Sequence, residues 1–357
     1  MKNRIVKKGL VLCIISLFFG ITMVTSEPSK IIQNPIDIAF IQQNTWIVDD
    51  DGDGNFTQIQ EAIDNESVKD GDTILVYNGT YQGNIQITKQ LKIEGIKTEY
   101  PPDNNPIAEP FIDGDAFDVV VQIKISKVKF SGFKMEGGFF EGIQISDNND
   151  NVIILNNTLI SCGARGIFIY ERSNNNIISG NTILNSKDHG IRLDYSNNNT
   201  ISDNTIIGHN YSGIYLDYYC RNNNIYNNKI KDCHIALYIE GYSHYNTMYW
   251  NNITNCDVGI HMEDSNYNII SQNSFKNCSI FLSKCDEIQI YYNNFFDIVG
   301  FSNLGFFYDS IIKWQSNYWD KPRIIKFICG TWTFPIKDRK LPAIEFPSAL
   351  KPFKIPD

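Results

Sequence analysis

A glycine followed by an apolar residue returns through the middle of the chain at a nearly fixed interval. Gly142, Gly166, Gly190 and Gly213 are continued by Ala236, Gly259 and Ser279, at steps of 24, 24, 23, 23, 23 and 20. A second series places asparagine two residues before an apolar one. Its members are Asn157, Asn181, Asn204, Asn228, Asn251, Asn273, Asn293 and Asn317, at steps of 24, 23, 24, 23, 22, 20 and 24. Two independent series with one period of 20 to 25 residues mark a solenoid, in which each repeat is one coil resting on the last.

Each repeat contains two or three short β-branched alternations separated by Asn, Asp, Gly and Ser, and the leucine pattern of leucine-rich repeats is absent. In Gly-Ile-x-Leu segments such as Gly190-Ile191-Arg192-Leu193 the first and third apolar residues share one face and Arg192 takes the other. One coil of a parallel β-helix fits this spacing. Coils stacked about 4.8 Å apart put equivalent residues above one another, so the chain is best read in columns. Ile143, Ile167, Ile191, Ile214, Leu237, Ile260 and Ile280 form a predicted core column. The asparagines are predicted to sit at a tight corner, tolerating left-handed backbone and bonding to one another along the axis. They read as structural.

A solenoid needs caps. Near the start, NFTQIQEAID offers Thr57 and Gln60 in capping-box spacing and Ile59, Ala62 and Ile63 on one face of a short helix. Residues 320–357 hold six of the twelve prolines and read as an extended capping tail after a single β-helix domain of nine or ten coils over 45–319. Residues 1–26 place Lys2, Arg4, Lys7 and Lys8 before an apolar run from Gly9 to Val24, a signal-peptide pattern with an uncleaved anchor as the alternative. Without those four cations the net charge falls from -9 to -13. An acidic, exported protein, secreted, cell-surface or periplasmic, is expected to avoid nucleic acid and to act as a monomer on neutral sugars, cations or basic surfaces.

Four carboxylates form the sharpest functional column, four residues after the glycine positions: Asp194, Asp217, Glu240 and Glu263. Facing outward on consecutive coils, they repel one another unless a cation, a proton or a ligand intervenes. Two residues earlier lie Arg192, Tyr215, Tyr238 and His261, and beyond them Tyr195, Tyr218 and Tyr242. Carboxylates beside exposed aromatic faces suit a glycan groove, where hydroxyls need acceptors and sugar rings need flat platforms. A solvated turn is the plainer reading. If the column is catalytic, DHGIRLD is its centre: Asp194 and Asp217 as acid and base, with Asp188, His189 and Arg192 beside them.

Two metal readings arise. Cys162, Ser186, His209, Cys233, Cys256 and Cys278 follow the ladder asparagines by five residues. That column packs as small buried side chains, pairs as disulfides between coils, or offers soft donors for copper. In DDDGDG, Asp49, Asp51 and Asp53 match the first half of a calcium loop, but Gln60 stands where a bidentate Glu is expected. No cofactor is required by either pattern.

The segments VDDDGDGNFTQIQEAID, GDTILVYNGTYQGNIQI and LKIEGI resemble the opening of right-handed parallel β-helix proteins of the pectin-lyase-like superfamily. Repeats such as NNNIISGNTI and HGIRLDYSNNNTISDNTI resemble NosD-like and carbohydrate-binding, sugar-hydrolysis members of that group. The resemblance implies an all-β, single-stranded, right-handed parallel β-helix. It carries over no catalytic residue, because the pectinesterase, polygalacturonase and pectate-lyase motifs are missing. Binding, with or without processing, of extracellular polysaccharide or cell-surface glycan is therefore the leading expectation. A NosD-like accessory role in copper-enzyme maturation and a structural surface spacer are the alternatives.

Overall fold

The computed structural model describes residues 43–97, 109–115, 117–304 and 312–319. The leader and anchor reading, the C-terminal tail and Cys329 lie outside them. Three parallel sheets have 12, 10 and 11 strands, each strand between the sheet ends bonded to its equivalents one coil before and one coil after. The first strand is Thr45–Val48 and the last is Tyr318–Trp319. A helix at Ile59–Asp64 buries Ile59, Ala62 and Ile63 against the first coils.

The capping box does not form. Gln58, not Thr57, is the N-cap and makes no side-chain capping bond. Gln60 instead accepts from the Gln86 backbone N–H at 2.7 Å, which ties the helix to the sheet. That long-range bond outcompetes the local one.

The predicted core column is continuous: Ile143 pairs with Ile167, Ile191 follows, then Ile214, Leu237, Ile260 and Ile280. All seven are buried, and each such side chain contributes about 1.5–3 kcal/mol. The Cys-Ser-His column lies inside against the repeating glycines. A Cβ on Gly142 would meet Cys162 Sγ at 2.6 Å, one on Gly190 would meet His209 Nε2 at 3.0 Å, and one on Gly259 would meet Cys278 Sγ at 2.8 Å. At Gly142, Gly190 and Gly259 the missing Cβ leaves room for this second column, and Ala236 shows that one coil accepts a methyl group there.

The asparagine ladder is present with one correction. Asn204 Nδ2 donates to Asn228 Oδ1 at 3.0 Å, and the same oxygen accepts the Asn204 backbone N–H at 3.0 Å. This pattern repeats from Asn157 to Asn317. The left-handed residue is the one before each asparagine, as at Asn156, Asp203, Asn227 and Trp250. The ladder amide is spent inside the coil, so the corner strain falls on its neighbour. A second buried ladder, Asn176, Asn199, Asn223, Asn246 and Asn268, runs along the corner entering the first sheet.

Candidate functional site

The outer face of the 10-stranded sheet carries the acidic column. Register between strands builds three parallel lines of side chains there; alternation relates the second to the third, while the first lies three residues before the second, across the inward pair such as Gly190 and Ile191. The first begins Glu141, Arg165, His189. The central line runs Gln144, Phe168, Arg192, Tyr215, Tyr238, His261, Phe281. The third contains Asp194 and Asp217 in direct register, then Glu240 just past its strand and Glu263.

The carboxylates do not depend on an outside cation, because their neighbours relieve the repulsion. Arg192 holds Asp194 with two bonds, Nε to Oδ1 at 2.8 Å and Nη2 to Oδ2 at 3.0 Å, and reaches Asp217 Oδ2 at 2.7 Å. The Tyr215 and Tyr238 hydroxyls each donate to one oxygen of Glu240. Glu263 accepts from Lys284 Nζ at 3.2 Å. Nearer the N-terminal end of the same face, Glu141 pairs with Arg165.

Rings fill the space between these charges. Tyr215 and Tyr238 stack at 4.8 Å, and Tyr238 meets His261 at 4.6 Å. Arg192 lies over Tyr215 at 5.2 Å and over Phe168 at 5.5 Å. His189 packs against Tyr211 at 5.2 Å and Tyr215 at 5.0 Å. Burial, then Arg192 and Arg165, lowers His189 to about 3, so it is neutral. Burial also lowers His261. Asp194 and Asp217 are raised by burial against the opposing pull of Arg192.

On this face Asp217 Oδ1, His189 Nδ1, His261 Nε2, Arg165 Nε and Ser212 Oγ are buried without a hydrogen-bond partner. The single phenolic proton of Tyr215 goes to Glu240, so it does not satisfy Asp217 Oδ1. Asp188 is exposed, and its backbone carbonyl accepts from Tyr211 and Ser212. Alongside the third line, at the turn leaving the sheet, Tyr195, Tyr218 and Tyr242 are 41%, 48% and 51% exposed. Tyr195 stacks on Tyr218 at 5.9 Å and on Tyr219 at 5.8 Å, and Tyr219 stacks on Tyr242 at 5.5 Å. All four have left-handed backbone, which turns the rings out of the coil. On the opposite margin Tyr211 is exposed. The result is a polar lane crossing the strands between aromatic margins.

Sequence reasoning brought together the four carboxylates and Arg192, Tyr215, Tyr238 and His261, but missed Gln144, Phe168 and Phe281 of the central line and Glu141, Arg165, Tyr211 and Tyr219 beside it. The position before each repeating glycine, occupied by Glu141, Arg165 and His189, carried that signal.

The soft-donor column does not fit a copper centre of three or four ligands. His209 Nδ1 accepts from the Ser186 N–H at 3.1 Å and Nε2 faces the Ile183 carbonyl at 3.2 Å, so both ring nitrogens are engaged. Burial raises the Cys162 and Cys278 thiols to about 12. The hydrogen bond between Cys233 and Cys256 lowers the first and raises the second. The six described cysteines are buried free thiols, as the packing reading expects. Elsewhere, the acidic side chains that gather are Asp49, Asp50 and Asp51, within 4.8 Å of one another, and Asp53 is not among them. Asp50 is committed to the Thr80 N–H at 2.9 Å and Asp49 to the Asp51 N–H at 3.2 Å. Among the described residues no helix is long and apolar enough to cross a membrane.

Three parallel sheets wound coil on coil define the class: a right-handed parallel β-helix. A family model described as periplasmic copper-binding protein (NosD) matches residues 63–255 and 239–328, and the chain belongs to that family. No curated protein sequence matches it. Among solved structures it is similar to the periplasmic alginate epimerase AlgG, at 15% identity and TM-score 0.46 over 72% of each chain. It is also similar to the Dettilon tailspike protein, at 15% identity and TM-score 0.50 over 70% of this chain and 62% of that one. XylC, solved in complex with xylose, matches at 12% identity and TM-score 0.45 over 76% of this chain and 86% of that one. At such identities the likeness extends to the fold.

Proposed function

We propose that the protein binds an extracellular or periplasmic polysaccharide along the outer face of its 10-stranded sheet, the chain of sugars lying across the strands. The observation that carries this reading is the lane itself, acceptors and donors on consecutive coils flanked by exposed, stacked tyrosines. Rings of this kind give flat apolar platforms for sugar faces, and the polar line between them takes hydroxyl bonds. The reading stops at binding. Both oxygens of Asp194 are occupied by Arg192, which leaves it poorly placed as a free acid or base. Asp217, with one oxygen unpartnered, is the residue to test first for any catalytic role. A glycan array on the protein, repeated with Asp217→Asn, Glu240→Gln and Tyr218→Ala, tests the reading; binding unchanged in all three removes the lane from it.

Family membership and the Cys233–Cys256 contact favour a second reading, an accessory role in copper-enzyme maturation. Two adjacent sulfurs suit Cu(I), which would take them as thiolates by displacing their protons. Tight Cu(I) uptake lost on Cys233→Ser and Cys256→Ser supports it, and uptake indifferent to both ends it.

A further inference from the structure

We infer that the lane selects uncharged glycans and rejects polymers of acidic sugars. The inference rests on the polysaccharide reading and narrows it to a substrate class. A uronic acid polymer presents a carboxylate on each sugar, and holding one requires a cation whose charge is not already spent. Both guanidinium groups of the lane are already ion-paired, although Arg165 Nε has no acceptor of its own. Arg165 is paired with Glu141, and Arg192 divides its donors between Asp194 and Asp217. Lys284 is shared by Glu263 and Asp264. Arg221, at the neighbouring corner, lies over the Tyr219 ring at 5.5 Å.

Counting only Glu141, Asp194, Asp217, Glu240 and Glu263 against Arg165, Arg192 and Lys284 leaves two negative charges in surplus. The histidines do not offset them, since His189 is held neutral by burial. The face meets an incoming carboxylate with like charge.

The unpartnered acceptor at Asp217 points the same way. Asp217 is 5% exposed, and its Oδ1 is an acceptor with no donor. A hydroxyl donates to it; a carboxylate does not. Glu240 is likewise an acceptor, kept in place by two phenols rather than by a cation, so it adds no positive charge.

Affinity electrophoresis and calorimetry with the full chain test this directly. The probes are neutral xylo-, manno- and cello-oligosaccharides against oligogalacturonate and oligomannuronate of equal length. The expected result is that the best neutral series binds at least about tenfold tighter than either uronate, because like charges in a partly desolvated site cost more than about 1.4 kcal/mol. Raising the salt is expected to leave the neutral affinity nearly constant and to strengthen whatever uronate binding exists. Glu263→Lys, at a partly exposed position, is expected to move the ratio toward the uronate by about tenfold. A thermal melt of that variant checks its folding, and the salt series on the unmodified protein needs no variant. Uronate binding equal to or tighter than neutral binding overturns the selectivity while leaving the polysaccharide reading intact. No binding in either series overturns both.

Discussion

The asparagine ladder and the outer lane are built by the same repeat yet follow opposite rules. On the ladder one residue type recurs from Asn157 to Asn317, and every amide from Asn157 to Asn293 is bonded to the next coil. On the lane the residue type varies along the column, through Phe168, Arg192, Tyr215, Tyr238 and His261, and polar atoms at Asp217, His189 and His261 are left without partners. Stability in a solenoid comes from uniform columns, because identical side chains at one spacing satisfy one another. Selective recognition needs columns that vary. The contrast separates what holds this protein together from what it presents to a ligand.

The largest effect is expected on the ladder. Asn228→Ala removes the acceptor used twice by Asn204 and the amide that reaches Ile201, Tyr226 and Asn251. With several buried groups orphaned, it is expected to cost about 3–5 kcal/mol in urea unfolding. A cost under about 1 kcal/mol would break the distinction between the two regions. Arg192→Met, on the lane, strands Asp194 and Asp217 and is expected to cost about 2–4 kcal/mol at neutral pH. Because burial already raises both carboxyls, their protonation favours the folded state, so acidification is expected to restore part of that loss. Gly190→Ala, whose Cβ would meet the Gly213 carbonyl at 2.6 Å, is expected to cost about 1–3 kcal/mol.

Acid should act on the unmodified protein in the opposite sense. His189 and His209 are lowered to about 3 and about 4 from 6.5, so the unfolded chain takes up protons first. Their contribution is complete above pH 6.5 and is lost as the pH falls toward 4 and then 3. Urea midpoints against pH for the protein and for His209→Ser, which copies Ser186 of the same column, should show a shallower acid limb in the variant.

Columns were the legible part of this chain. The Gly and Asn periods alone placed the core isoleucines, the inward cysteines and the outward carboxylates on adjacent coils, because a parallel stack converts sequence spacing into register. What spacing does not encode is which side chain satisfies which. That Arg192 serves two aspartates, that two phenols hold Glu240, and that Gln60 prefers Gln86 to its own helix depend on side-chain direction across coils. The second ladder was missed for a different reason. Asn176 and Asn199 end asparagine runs, where the buried member cannot be told from its exposed neighbours by composition.

Tyr218→Ala and Tyr242→Ala are expected to shift stability by less than about 0.5 kcal/mol, since both rings are exposed. The same pair supplies the most direct measurement: glycan affinity in the double variant, compared with Tyr226→Ala and Tyr249→Ala, whose rings stack at 4.9 Å on the first sheet. Affinity falling at least about tenfold for the lane pair and staying within about twofold for the first-sheet pair is the result this account predicts. Equal affinity in both double variants, or a loss confined to the first sheet, would contradict it.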